Sequence, residues 1–463
     1  MKTTEHYIIS FPLFFMLLLF CSCKKMIEVD PPKNEIVTET VFSDSTNANS
    51  AVTGIYLNAM NSTFDFNLAN GVMAIYTGMS SDDLYPTRGL PEEDDFCQNN
   101  ILINPDNYIN ANFWQSAYKF IYQANACIEG LNRSTILSQA VKNRLLGECQ
   151  LMRAYLYFNL INLFGDVPYV TSTDFHLNSA MPRTSKASIY ARIEEDLKSA
   201  ESLLPEINSS NKIRPEKPAA TALLARVYLF QNKLSESEEA STRVINNTRF
   251  YLESDLNTVF VPSSKEIIWQ IMPVDPGYNT PLGSYLNPTP SGKPRYGITD
   301  TLLNSFEIND SRKTNWLKSK TVNSIFYTYP FKYKLRFDGN TTPSEYFVPL
   351  RLAEQYLIRA EARVKQNNIE GAKNDLNTIR SRAGLPNTLA SSQAEALSAI
   401  EQERRAELFC EEGHRWFDLK RNGRASSVLL SIKSPNWQVT DELYPIPFTE
   451  ILYNPALIQN PGY

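Results

Sequence analysis

Apolar residues recur at helical spacing through most of the chain. Ala48 to Met60 carries them on one side, and Phe113 to Leu131 aligns Phe113, Ala117, Phe120, Ile121, Ala124 and Ile128, the pattern of helices that bury one face. Leu145 to Phe164 continues the i, i+3, i+4 repeat and stops at Gly165-Asp166-Val167-Pro168, which predicts a long core helix ended by a turn and a proline. Ile189, Ile193, Leu197, Ala200 and Leu204 predict a further amphipathic helix over Ser188 to Leu204. Two later segments, Ala219 to Ile245 and Leu352 to Ile379, share one plan. Each has an Ala/Leu-rich helix, a Gln-Asn turn (Gln231-Asn232, Gln366-Asn367) and a second helix bearing a small residue, Ala240 or Ala372.

Small residues at such positions let paired helices approach closely, and stacked pairs bury one continuous face. The pattern is that of tetratricopeptide-type hairpins, about four of them, and it predicts a mainly α fold. Val261 to Leu350 interrupts it with ten Pro and five Gly in 90 residues. Its β-prone runs, Glu266 to Ile271 and Ile325 to Phe337, predict an irregular region with a few short strands. The same region holds fourteen aromatic residues, which it must either bury or display.

Tyr7 to Phe20 is an apolar run of 14 residues after Lys2. It is shorter than the roughly 20 residues of a spanning helix and matches a signal-peptide core. The run leads into Cys21-Ser22-Cys23 and Lys24-Lys25, which looks like a bacterial lipobox, with Cys23 behind the small Ser22 as the expected acylated residue. Residues 1–22 then form the signal peptide, and 23–40, polar with Pro31-Pro32, a lipidated tether. Two acyl chains at about 0.8 kcal/mol per buried CH2 anchor such a protein without a spanning helix.

The chain has 463 residues, and its 45 basic against 50 acidic residues give a net charge of -5. It therefore has no global positive field, which argues against a nucleic-acid partner. Three histidines, His6, His176 and His414, leave little room for a histidine metal site or a Ser-His-Asp triad. No glycine-rich phosphate loop, nucleophile elbow, zinc helix or EF-hand loop is present. Cys97, Cys127, Cys149 and Cys410 form no CxxC pair, so neither a metal nor a cofactor is expected, and their disulfide state is left open. Cys127 and Cys149 fall on apolar helical faces.

Two groups of acids, Asp82-Asp83 and Glu92-Glu93-Asp94-Asp95, contain the residue types a glycoside hydrolase uses, but contiguous acids in a loop are expected to be solvated, and no catalytic residue is assigned. His414 is expected to be structural, because Glu403, Arg404, Glu407 and Glu411 predict a buried ion-pair network around the C-terminal helix. Sugar binding without chemistry needs exposed rings beside planar polar groups. The stretch Tyr76 to Asn112, read as a loop, offers Asp82, Asp83, Tyr85, Arg88, Gln98 and Asn99, and the middle region offers Tyr278, Tyr285, Tyr296 and Trp316. Asp82, Asp83, Tyr85, Arg88, Asn99, Tyr278, Tyr285, Tyr296 and Trp316 are the candidate ligand-binding residues.

Several motifs together resemble the SusD/RagB nutrient-uptake lipoproteins. They are Glu403-Arg404-Arg405-Ala406-Glu407-Leu408 running into Gly413-His414-Arg415-Trp416-Phe417-Asp418-Leu419-Lys420-Arg421; Leu443-Tyr444-Pro445-Ile446-Pro447 with Asn454-Pro455 and Gln459-Asn460-Pro461-Gly462-Tyr463; Arg153-Ala154-Tyr155 leading to Phe164-Gly165-Asp166-Val167-Pro168; and Arg380-Ser381-Arg382-Ala383-Gly384-Leu385. The resemblance implies a SusD-like helical region at 41–260, an aromatic-rich loop and short-strand insertion at 261–350 and a C-terminal region at 351–463. It also implies a surface-exposed, lipid-anchored outer-membrane protein that is not an enzyme. Such a protein captures oligosaccharides, or in some relatives peptides, and passes them to a SusC-like TonB-dependent transporter. Two rival readings are a lipid-anchored glycoside hydrolase using Asp82 or Glu93, and a structural helical adaptor of an outer-membrane complex.

Overall fold

The computed structural model describes residues 41–60, 67–103, 108–206, 210–275, 277–337, 339 and 342–463. Cys23 and the expected signal peptide and tether lie outside them. Among the described residues, thirteen helices have eight or more residues: α1 Ser45–Met60, α2 Val72–Ser80, α3 Pro91–Gln98, α4 Tyr108–Arg133, α5 Gln139–Phe164, α6 Lys186–Leu203, α7 Lys217–Phe230, α8 Leu234–Ile245, α9 Leu352–Lys365, α10 Ile369–Arg382, α11 Gln393–Leu408, α12 His414–Arg421 and α13 Ala425–Lys433. The predicted fold class and every helix expected from periodicity are present.

Helices α5/α6, α7/α8, α9/α10 and α11/α12 form four successive pairs, with α6 against α7, α8 against α9, and α4 against α5. The two Gln-Asn turns have one geometry. Asn232 and Asn367 adopt left-handed φ of 57° and 65°, and in each turn the next residue donates to the carbonyl five back, Lys233 to Tyr228 and Asn368 to Arg363. This is the double hydrogen bond of a Schellman cap, in which Asn replaces the more usual Gly. Helix α5 ends as its sequence predicts: Gly165, at φ 75°, donates to Ile161 O at 3.2 Å.

Six short strands, β1 Leu84–Pro86, β2 Ile267–Ile271, β3 Tyr296–Ile298, β4 Leu317–Val322, β5 Ile325–Pro330 and β6 Phe347–Arg351, form three antiparallel pairs, β1–β3, β2–β6 and β4–β5. In the β4–β5 hairpin Asn323 and Ser324 both have positive φ, the two-residue turn whose twist matches antiparallel strands. Past Pro330 the expected run to Phe337 is irregular, because Lys332 and Tyr333 turn inward.

The stretch Tyr76 to Asn112 is not a loop. It contains the end of α2, strand β1 and helix α3, which starts with Pro91 in its first turn and carries Glu92, Glu93 and Asp94 there. Proline suits that position, and carboxylates at a helix N-terminus face the positive end of its dipole. The acidic run is therefore a helix start, and Glu93 is buried.

The middle region is joined to the helices by buried charge. Glu407 of α11 accepts from Arg351 at 2.6 Å, from Arg312 at 3.1 Å and from Arg382 of α10. Arg312 also meets Asp310 at 2.8 Å and Glu403 at 2.5 Å; Arg351 meets Glu266 at 2.8 Å and Glu411 at 2.7 Å; Lys332 meets Glu411 at 2.5 Å. The side chains of all of these are buried from solvent. Burial pushes the Glu407 carboxyl up, but Arg382, Arg351 and Arg312 outweigh it and hold it well below the usual carboxylate range. Of the four residues expected in this network, Glu403, Glu407 and Glu411 belong to it, whereas Arg404 pairs with Asp418 of α12 at 2.7 Å. His414 is buried 3.9 Å from Glu354, and burial with the nearby arginines keeps it neutral.

Between α11 and α12 the chain bends at Cys410, Glu412 and Gly413, with φ of 54°, 44° and 73°. The bend buries Glu412, which accepts from Tyr155 Oη at 2.7 Å. Burial raises this carboxyl to about 7, against the pull of Arg226. Cys127, Cys149 and Cys410 are buried free thiols, and Cys97 is half-buried and free.

Glu407→Ala leaves three guanidinium groups short of a partner and is expected to cost about 3–5 kcal/mol, read by urea unfolding. Glu412 holds its proton more tightly when folded than when unfolded, so its contribution is full below about pH 4.5 and is lost as pH rises through about 7. Thermal melts across that window should show a decline in the native protein that Glu412→Gln flattens; an unchanged decline would refute the assignment.

Candidate functional site

Strand β1 and strand β3 bring together the two stretches that the sequence nominates. Tyr85 faces Gly297 in the register, and Pro86 faces Tyr296. The Tyr85 ring lies across the glycine: a Cβ at Gly297 would sit 2.3 Å from Tyr85 Cζ, so only glycine leaves room for it. Thr87 continues the contact, its N–H donating to Arg295 O at 2.9 Å. From there a line of rings and guanidinium groups runs along the middle region. Arg295 stacks 4.3 Å from the Tyr285 ring, Arg336 donates to the carbonyls of Ser284 and Asn287, and Tyr278 lies 4.6 Å from the Phe337 ring. Lys320 of β4 ties down the turn beside them, donating to Thr289 O, Pro290 O and Gly292 O at 2.9, 2.7 and 2.8 Å.

On this face Tyr85, Tyr278 and Tyr285 are half-buried and Arg88 is exposed. Such rings keep one surface on the protein and offer the other to a flat apolar partner. The sequence reading does not single out Phe337, Arg295 or Arg336. Phe337, 55% exposed, belongs to the aromatic count of Val261 to Leu350, and its spacing carries no sign of exposure. The arginines could have been found only from the fold, because each is placed by carbonyls or a ring distant in sequence.

The other five nominated residues are buried, and each has a structural partner. Asp82 accepts from Arg405 and Arg415 at 2.8 Å each, and Asp83 accepts from Arg405 at 3.1 Å. Burial raises Asp82, but the Arg415 hydrogen bond and the Arg405 charge hold it below its ordinary value; for Asp83 burial prevails and the carboxyl is raised. Asn99 closes α3 in a left-handed conformation and accepts from Lys433 Nζ at 2.6 Å. Tyr296 donates to Glu93 Oε1 at 2.6 Å. Trp316 donates to Leu256 O at 2.9 Å, and its ring lies 4.6 Å from Lys332 Nζ and 5.8 Å from both Arg351 and Arg382. It is the floor of the charge cluster, closed to a ligand, which corrects the expectation for these five.

Among the described residues, two of the larger open clefts lie elsewhere. One, of about 780 Å³, is lined by Glu401, Gln402, Arg405, Arg415 and Arg424 among others, but its arginines are paired with Asp82, Asp83 and Glu401. The other, of about 510 Å³, is lined by rings of α4 and the chain end. Among the described residues no three His, Cys, Asp or Glu side chains are grouped to hold a metal ion.

Comparison with family models matches residues 30–229 to a SusD-like family described as starch-binding associating with outer membrane, and residues 304–463 to the SusD family. The chain is 26% identical to SusD-like protein P2 of Formosa agariphila, a match covering 99% of this chain and 100% of that protein. It superposes on a SusD superfamily protein from Bacteroides vulgatus with a TM-score of 0.80 at 21% identity, covering 92% of this chain and 100% of the other. A laminarin binding SusD-like protein gives 0.74 at 23% identity, covering 90% and 99%. At these identities the solved structures establish a common fold.

Trp316→Ala removes a fully buried ring and should lower stability by about 3–5 kcal/mol, whereas Phe337→Ala should cost less than about 1 kcal/mol. Chemical denaturation of the two variants checks this, and equal losses would refute the division between core and displayed rings.

Proposed function

The chain belongs to the SusD/RagB family, and from that membership we propose that it is a surface-exposed outer-membrane lipoprotein, anchored through Cys23, that captures oligosaccharides and passes them to a SusC-like TonB-dependent transporter. The observation that carries the capture role is the line of half-buried rings, Tyr85, Tyr285 and Tyr278 with Phe337, joined across the β1–β3 pair and interleaved with Arg295 and Arg336. Rings displayed on a shallow face stack on the apolar faces of sugars, each at modest energy, and a polymer that spans several of them gains by multivalency. The related laminarin binding protein supports a neutral glucan as the ligand class. The described residues contain no helix long and apolar enough to cross a membrane. Attachment through acyl chains on Cys23 is supported by the lipobox-like Cys21-Ser22-Cys23 behind the apolar run.

The hydrolase reading draws on Asp82 or Glu93, and both are buried and already bonded, to Arg405 and Arg415 and to Tyr296 respectively. A carboxylate that protonates a glycosidic oxygen must reach it. No observation favours the adaptor reading over capture.

Affinity electrophoresis of the lipid-free protein in gels containing neutral polysaccharides, laminarin and starch among them, tests the proposal. Tyr278→Ala combined with Phe337→Ala should weaken retardation by roughly tenfold with little change in the thermal midpoint, and a labelled oligosaccharide should be recovered intact. Retardation unaffected by these substitutions, release of cleaved product, or binding of a peptide digest alone would overturn it.

A further inference from the structure

The cleft of about 510 Å³ shares no residue with the aromatic loop face. It lies between Trp114, Tyr118 and Tyr122 of α4, the connection from Pro168 to Ser179, and the chain end at Glu450, Tyr453, Asn454 and Leu457. Its floor is built in. Trp114 is buried with its ring centroid 5.0 Å from Tyr118, and Tyr118 Oη donates to Pro168 O at 2.7 Å. Three rings stand above that floor in solvent: Tyr122 at 52%, Phe175 at 73% and Tyr453 at 82% exposure. Isolated exposed rings need no explanation, but three that converge on one cleft of ligand size do.

The polar groups of the cleft are equally selective. Asn178 is fixed in the wall, its Nδ2 donating to Ser172 O at 2.7 Å. Asn454 is held by the carbonyl of Met181 at 2.8 Å. Glu450 lines the cleft and is bonded by Gln115, at 3.4 Å, and by Trp114 of its floor. No Lys, Arg or His lines it. The site thus offers ring faces and hydrogen-bond acceptors, with one carboxylate and no cation.

We infer that this cleft is a second saccharide-binding site, separate from the loop face, for a short stretch of a neutral glycan whose hydroxyls donate to Glu450 and whose ring faces stack on Tyr122, Phe175 and Tyr453. Hydroxyls are donors that a carboxylate accepts from. The carboxylate, without a balancing cation, repels uronates and sulfated sugars. Two separate sites on one protein let a single polymer chain be held at two points, which raises avidity without strengthening either contact.

The test uses four proteins in the same polysaccharide gels, with alginate as the anionic control: native, a loop-face variant (Tyr278→Ala with Phe337→Ala), a cleft variant (Phe175→Ala with Tyr453→Ala) and the combination. The cleft rings are so exposed that all four should melt together. The inference requires that the loop-face variant keep measurable retardation by a neutral polymer, that adding the cleft substitutions remove it by about tenfold or more, and that alginate retard none through the cleft. A cleft variant as strongly retarded as the native protein overturns the inference, including the case in which it loses only an association with another membrane protein. Retention by the loop-face variant equal to native, with loss in the cleft variant, would instead refute the loop face and leave the cleft standing; no retardation of the native protein by any neutral polymer would refute both.

Discussion

The carboxylate of Glu407 is where the two halves of this molecule are fastened together. It is buried on α11 and receives arginines from three directions: Arg312 and Arg351 from the irregular middle region and Arg382 from the hairpin beside it. Burying so many charges adds little net stability, because the loss of hydration offsets most of the attraction. Its effect is on uniqueness. Any arrangement that separates the middle region from the hairpins strands one of these ions in an apolar interior, so the middle region has one seat. Trp316 sits under the cations and Phe260 and Phe409 flank them, which excludes the water that would otherwise make alternatives tolerable.

The helical part of this architecture is legible because its periodicity is local. An Ala/Leu-rich stripe, a Gln-Asn pair and a second stripe specify a hairpin within thirty residues, and Asn232 and Asn367 take the left-handed cap that such a sequence suggests. The acidic run at Glu92 to Asp95 is misread for the opposite reason. Its charge density suggests solvated coil, and the signal that overrides it, Pro91 opening a helix whose first turn welcomes acids, competes with composition over only eight residues.

The candidate site is less legible than the fold. Aromatic density marks the right region, yet within it a ring that supports the core and a ring that faces solvent are the same residue type. In β4–β5 the alternation places Tyr327 and Tyr329 inward while Phe326 points out, and nothing outside the pleat announces the phase. Asp82 and Asp83 mislead because their partners, Arg405 and Arg415, lie more than three hundred residues further along the chain. Tyr85, Arg88, Tyr278 and Tyr285 emerge with surface to offer, and their connection through β1 and β3 is a product of folding that no local pattern encodes. The cleft between α4 and the chain end is silent in sequence for the same reason: Tyr122, Phe175 and Tyr453 sit in three separate segments.

The β1–β3 pair is three residues long on each side, and the Tyr296 to Glu93 hydrogen bond beside it spans 203 residues of chain. A ladder that short has too few bonds to offset the entropy of closing so long a loop. It therefore behaves as a seam and not as a beam: it stays joined because the hairpins on one side and the charge cluster on the other hold its edges in register. The surface that displays Tyr85 thus depends on the rest of the fold to hold its two edges together. An incompletely folded chain would carry the same rings in its sequence and offer no such surface, so the seam makes the display of these rings report on the integrity of the whole molecule.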